Sequence, residues 1–207
     1  MSRERVIGAA IGLADSDGIG ALSMRRLAQE LGVEAMTLYH YVANKDGILM
    51  GMVDRVVEEM ELPAANGDWK TNLRSAAISA HEVLVAHPWA ANLLLAGPGV
   101  SQARLRHMDA ILGCLRGGGF SAELTDHAYH ALDSHIMGFT LWQVGISSGL
   151  DRLGSVETFL SNLDIGRMPH LAEHIQQHLQ NDGTGQPSEF DYGLDLLLEG
   201  LERRRDA

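Results

Sequence analysis

The residues best suited to chemistry in this sequence lie close together. Thr37, Tyr39, His40 and Tyr41, followed by Lys45, bring a hydroxyl, two phenols, an imidazole and an ammonium into one short stretch. Such groups suit contacts to phosphate oxygens, which set the register of a protein on a nucleic acid. Arg25, a little upstream, carries the planar guanidinium that pairs bidentately with a guanine edge. Tyr41 also fits a core position, so its ring serves packing as readily as contact.

The elements around these residues explain how they would be held. Ser23 is an N-cap residue for a helix running through Leu31. Leu27 and Leu31 stand at i and i+4 and face one way. Ala28 is small enough for a following helix to pass closely, and Gly32 supplies the tight turn. Val33 and Leu38 then pin a third helix, from about Ala35 to Val42, across the second. Two helices joined by a turn of three to four residues form a helix-turn-helix, and the free face of the later helix can enter a major groove. Upstream, Val6, Ala9, Ala10, Leu13 and Ala14 make the inward face of a first helix, closed by Asp17-Gly18-Ile19-Gly20. Near Asn44 a longer fourth helix begins, with Ile48, Met52, Val53 and Val56 along its apolar stripe.

Further on the chain remains helical in pattern, and the expected fold class is all-α. Leu62–Asp68 is a linker rich in turn residues. Helices are expected at Trp69–Ala86, Trp89–Leu95, Ser101–Leu115, Ser121–Ser148, Pro169–Leu179 and Phe190–Arg204, with 149–188 the least regular stretch. The last of them has apolar residues at Tyr192, Leu194, Leu196, Leu197, Leu198 and Leu201. Leucines on more than one face of that helix point to a homodimer.

Composition narrows the function classes. Hydrophobic residues make up 45% and charged residues 21% of 207 residues, the balance of a packed protein rather than a disordered one. No apolar run reaches the roughly 18 residues that a membrane helix requires. Met-Ser-Arg-Glu-Arg leads straight into a helical pattern with no signal-peptide core, and Cys114 is a lone cysteine. A cytoplasmic location without disulfides is therefore expected. The net charge of −11 is unusual for a nucleic-acid binder, but it is unevenly spread. Residues 1–50 hold five bases and six acids, a balance of −1, which leaves −10 on the remainder. Loose coating of DNA is thereby disfavoured, whereas docking of a few well-placed cations is not.

Other chemistry is less well supported. His170, His174 and His178 recur every four residues, but i and i+8 lie about 12 Å apart along a helix. All three cannot ligate one ion, so a solvated stripe is the favoured reading, as it is for His127 and His130. Arg203-Arg204-Arg205 complements the dipole at a helix C-terminus. No P-loop, nucleophile elbow or dinucleotide fingerprint occurs, and no catalytic residue, metal or cofactor is expected.

The run Leu22–Lys45, ending Thr-Leu-Tyr-His-Tyr-Val-Ala-Asn-Lys, closely resembles the DNA-binding head of TetR-type repressors. The likeness continues through Trp69, His87-Pro88, Gly119-Phe120-Ser121 and Phe190–Glu202 into a tetracycline-repressor-type C-terminal domain. It implies a helix-turn-helix head at 1–46, a connecting helix and linker at 47–67, and an effector-binding and dimerisation body at 68–207. It also implies a homodimer on a palindromic operator in double-stranded DNA, joined by a four-helix bundle built from about Thr125–Ser148 and Phe190–Arg204. By the same resemblance Arg25 reads a base, Thr37, Tyr39 and Lys45 hold phosphates, and Met24, Ala35 and Met36 occupy positions that often face bases. His40 and Tyr41 complete the expected contact set.

The resemblance does not carry the drug. The position matching a metal-ligating histidine lies near Leu94, and no Asp or Glu occurs between Asp133 and Asp151 to support the oxygen-rich shell that magnesium prefers. Matching cavity positions are Ala80, Leu94, Met108, Ile111 and Leu112, with His135, Phe139 and Trp142 near them. They imply a hydrophobic or aromatic small-molecule effector with few polar anchors. The expectation is a repressor released from its operator by that effector. The alternatives are an activator, a regulator controlled by a protein partner and, more remotely, a helical enzyme.

Overall fold

Ser2 Oγ accepts a hydrogen bond from the Arg5 amide at 3.3 Å and opens α1, Arg3–Asp17. The computed structural model describes residues 1–153, 167–180 and 188–207, and every regular element among them is helical. A short 3₁₀ turn at Ile19–Ala21 leads to α2, Met24–Glu30, capped by Ser23 Oγ on the Arg26 amide. Gly32 then adopts φ +67°, a conformation that costs glycine nothing but strains other residues. The turn is closed by the Val33 amide on the Ala28 carbonyl at 2.9 Å. α3 spans Ala35–Leu38, and α4, Lys45–Glu59, is capped by Asn44 Oδ1 on the Gly47 amide at 2.8 Å.

α3 is shorter than the expected Ala35–Val42. Beyond Leu38 the chain tightens, with His40 bonded to the Thr37 carbonyl and Tyr41 to the Leu38 carbonyl. These i to i+3 bonds are 3₁₀-like closures. Leu38 and Val42 are both buried, so the last turn is shaped by their shared packing and by the approach to the Asn44 cap.

The head closes around Val6, Ala10, Leu13, Leu22, Leu27, Leu38, Ile48 and Met52. α1 and α4 lie in close contact, and Gly51 leaves room there for the Ile7 side chain. A Cβ there would come within 2.6 Å of Ile7 Cδ1.

The body contains α5 (Trp69–Ala86), α6 (Pro88–Ala96), α7 (Gln102–Gly117), α8 (Ala122–Leu153), α9 (Pro169–Gln180) and α10 (Glu189–Arg205). α5 is central and touches α6, α7, α8 and α10. Asp68 caps it, accepting from both the amide and the hydroxyl of Thr71. α10 is tied to α5 by Arg74, which meets Asp195 at 2.7 Å and Asp191 at 2.8 Å, and by Lys70 with Glu202. Phe120 packs edge-on against Trp69, with ring centroids 4.7 Å apart. No helix among the described residues is long and apolar enough to cross a membrane.

Candidate nucleic-acid interface and effector cavity

The outer face of the turn and of α3 is built from short elements held by a buried interior. Leu27 and Leu38 are fully buried and, with Ala28 buried and Leu31 and Val33 packed against the same core, hold α3 against α2. Met36 is 72% exposed and Tyr39 47% exposed, and Arg25, His40 and Lys45 are exposed as well. Met24, Ala35 and Tyr41 are half-buried and pack against the core, and Thr37 is half-buried. The nine expected contact residues thus divide into an outward group and a supporting group. Lys45 is the first residue of α4, where free amides already favour an anion. Arg26 is committed to an ion pair with Asp17 at the end of α1. Arg25, its neighbour, makes no ion pair among the described residues.

α4 joins this surface to the body. Its 15 residues span about 22 Å at the helical rise. Near its far end Glu59 meets a junction centred on His87, the residue between α5 and α6. His87 Nδ1 lies 2.9 Å from Asp15 Oδ1 of α1, and Nε2 lies 3.3 Å from Glu59 Oε2. The Trp89 indole donates to the same Asp15 oxygen at 2.6 Å. One histidine therefore contacts α1 and α4 at once.

Val57 and Met60, at that same end, form part of the wall of a cavity of about 60 Å³ inside the body. The structure brings Ala80, Leu94, Met108 and Ile111 together there, with Leu132, Ile136 and Met137 from α8. Leu112, His135, Phe139 and Trp142, expected at the same cavity, do not line it. The reason is helical geometry: Tyr129, Leu132, Asp133, Ile136 and Met137 recur at three and four and share one face of α8. His135 and Phe139 look instead toward α10, where His135 and Phe190 stack at 4.9 Å. His81 completes that aromatic group, stacked on Phe190 at 4.0 Å with Nδ1 2.8 Å from the Thr140 hydroxyl. Burial pushes the His81 imidazole down from its ordinary value. Trp142 continues the α8 face and is 54% exposed.

The cavity also holds polar residues that the sequence reading passed over. Arg104 and His107 from α7 and Tyr129 and Asp133 from α8 line it. Arg104 donates from Nη1 to the Leu94 carbonyl at 2.6 Å. His107 Nε2 is shielded from solvent and has no hydrogen-bond partner among the described residues. Burial pushes the His107 imidazole down, against an opposing pull from Asp133. Tyr129 is pushed up, first by burial and then by Asp133. The available signal was polar residues at i, i+3 and i, i+4 on faces that are otherwise apolar.

His170 and His174 are exposed on α9, and the side chain of His178 lies outside the described residues.

Comparison with known proteins agrees with this arrangement. Residues 6–51 match the model of bacterial regulatory proteins of the tetR family, and residues 62–205 match that of the tetracyclin repressor-like C-terminal domain. The tetracycline repressor protein class D of Escherichia coli is 30% identical, over 98% of this chain and 89% of that protein. A crystal structure of a possible TetR family transcriptional regulator from Streptomyces coelicolor superposes with a TM-score of 0.80 at 28% identity, covering 98% of this chain and all of that one. The S. coelicolor TetR family protein ActR, crystallised with actinorhodin, gives 0.74 at 27% identity, covering all of this chain and 99% of that one. With a reading head at one end of α4 and a cavity at the other, and with family models matching both parts, the chain belongs to the TetR family of bacterial regulatory proteins.

Proposed function

We propose that this chain is a homodimeric, cytoplasmic repressor that binds a palindromic operator and is released by a small effector in the body cavity. The observation that carries the reading is the span of α4. Its first residue, Lys45, stands beside the outward face of α3, and its far end supplies Val57 and Met60 to the cavity wall. The proposed division is a head at 1–46, a connecting segment at 47–67 and a body at 68–207. The protein acts by binding rather than by catalysis.

On the DNA side, Arg25 supplies base contact, and Thr37, Tyr39 and Lys45 position the head on phosphates, with His40 beside them. Met24, Ala35 and Met36 present apolar groups to base edges, and Tyr41 supports α3 from behind. Apolar contact of this kind favours thymine methyl groups.

On the effector side, the cavity of about 60 Å³ is smaller than the several hundred Å³ usual for drug-sized ligands. A ligand of that size enters only if the wall moves, and Val57 and Met60 put α4 in that wall. The effector therefore favours a body with α4 displaced, and operator affinity falls because the ligand binds the two arrangements differently. ActR bound to actinorhodin supports a small organic effector. The exposed Trp142 and Ile146 of α8 and Tyr192 and Leu196 of α10 are the surface that a second copy covers.

Selection of binding sites from a random duplex pool tests the reading. A palindrome is expected, and its affinity should fall at least about 10-fold with Arg25→Ala. Recovery of no palindrome, together with unchanged affinity in an Arg25→Ala, Tyr39→Ala double variant, would defeat it. A monomer by light scattering at micromolar concentration would defeat the dimer.

A further inference from the structure

We infer that the effector is a neutral, largely apolar molecule of the phenol class, and that His107 Nε2 is the group that hydrogen-bonds its hydroxyl. The inference rests on the effector-cavity reading above and specifies the chemistry of that site. Ala80, Leu84, Leu94, Ile111, Ile136 and Met137 give the cavity an apolar lining. Into this lining α7 brings an imidazole nitrogen that is shielded from solvent and unpaired among the described residues. Buried polar atoms are nearly always hydrogen-bonded because leaving one unpaired is costly. A ligand that supplies the missing bond therefore gains on binding what the free protein forgoes.

The form of that bond follows from the ring. Burial holds His107 neutral near pH 7, and a neutral imidazole donates at one nitrogen and accepts at the other. A hydroxyl both donates and accepts, so it satisfies Nε2 in either tautomer, whereas a carbonyl satisfies only one. An anion is disfavoured. The apolar lining strips an anion of its water, and the Asp133 carboxylate on that lining repels it. Arg104, the opposing cation, already directs one guanidinium N–H to the Leu94 carbonyl. A ring bearing one hydroxyl suits the polarity of the cavity, and its bulk exceeds the roughly 60 Å³ available, so it too enters with the wall displaced.

Para-cresol and para-xylene differ by a hydroxyl in place of a methyl at nearly constant shape, and calorimetric titration of the full-length protein compares them. Para-cresol is expected to bind more tightly by on the order of 10-fold. His107→Leu should remove that preference, and His107→Gln, which keeps a donor and an acceptor, should retain part of it. The anion 4-hydroxybenzoate is expected to bind more weakly than para-cresol. Equal affinities in the wild type, or an unchanged preference in His107→Leu, overturn the role of His107 while leaving the cavity reading intact. If neither probe binds, the cavity reading fails and the inference fails with it. The wild-type comparison stands even if His107→Leu does not fold.

Discussion

In the head, Arg25, Tyr39, His40 and Lys45 stand outside a core sealed by Leu27, Leu38 and Met52. In the body, Arg104, His107, Tyr129 and Asp133 stand among the apolar walls of a cavity. These four exposed groups of the head thus stand apart from the groups that hold it together, while Met24, Ala35 and Tyr41 pack against the core between them. In the body the two sets share one space, and His107 Nε2 is buried there without a partner among the described residues, an arrangement that costs stability. Departures from local packing rules tend to mark functional sites, and among the described residues they fall at His107 Nε2 in the body cavity and at Asp54 Oδ1 on α4. Substitutions should therefore separate binding from stability in the head and couple them in the cavity.

The largest expected effect tests the sealed core. Leu27→Ala removes a fully buried side chain and should cost about 2–5 kcal/mol, visible as a lower unfolding midpoint with loss of operator binding. Arg25→Ala should instead leave the unfolding midpoint within a degree or so of the wild type and weaken operator binding by about 10- to 100-fold, equivalent to roughly 1–3 kcal/mol. An equal loss of stability in that variant would break the proposed separation.

In the cavity, His107→Leu removes an unpaired buried nitrogen and should raise the unfolding midpoint, by about 1 kcal/mol of stability, even as it removes ligand preference. The sign of the pH effect follows from the same burial. His81 and His107 are both held below the ordinary imidazole value of 6.5, chiefly by burial, with His135 adding to the shift of His81 and Glu82, Asp191 and Gln143 opposing it. The unfolded chain binds protons that these rings refuse when folded. Their contribution to stability is therefore complete above pH 6.5 and is lost as the pH falls below it. Thermal unfolding between pH 7.5 and 5.5 should show the decline, and His107→Leu should reduce it. The smallest effect belongs to Lys45→Ala, which should weaken binding nearly equally on all sequences and lower the salt-dependence slope by about one.

The junction at His87 lies between these two regions. It contacts α1 through Asp15 and α4 through Glu59, so the two helices share one partner at the cavity end of α4. That arrangement joins residues far apart in the chain. Nothing in the local pattern around His87-Pro88 distinguishes it from an ordinary helix start with proline at the first position.

Helix starts were legible because caps are local. Ser23 and Asn44 bond amides three residues ahead, and α5 runs from Trp69 to Ala86, the bounds that its periodicity predicts. The end of α3 was less legible, since it depends on Leu38 and Val42 sharing one interior. The cavity was legible in part. Ala80, Leu94, Met108 and Ile111 follow from apolar patterning, but which face of α8 turns toward them depends on how that helix lies against α7.

The sequence by itself determined an all-helical chain with a helix-turn-helix near its start, because caps, turn glycines and apolar spacing act over a few residues. It also determined that the acidity belongs to the body rather than the head. The tertiary structure decided which side chains meet across helices. It turned Tyr129 and Asp133, not His135 and Phe139, toward the cavity, brought His107 into the same lining, and set the far end of α4 in the cavity wall through Val57 and Met60. Those choices depend on packing between segments distant in sequence, and local spacing such as that of Arg104 with His107 or Tyr129 with Asp133 groups residues on a face without saying what that face meets.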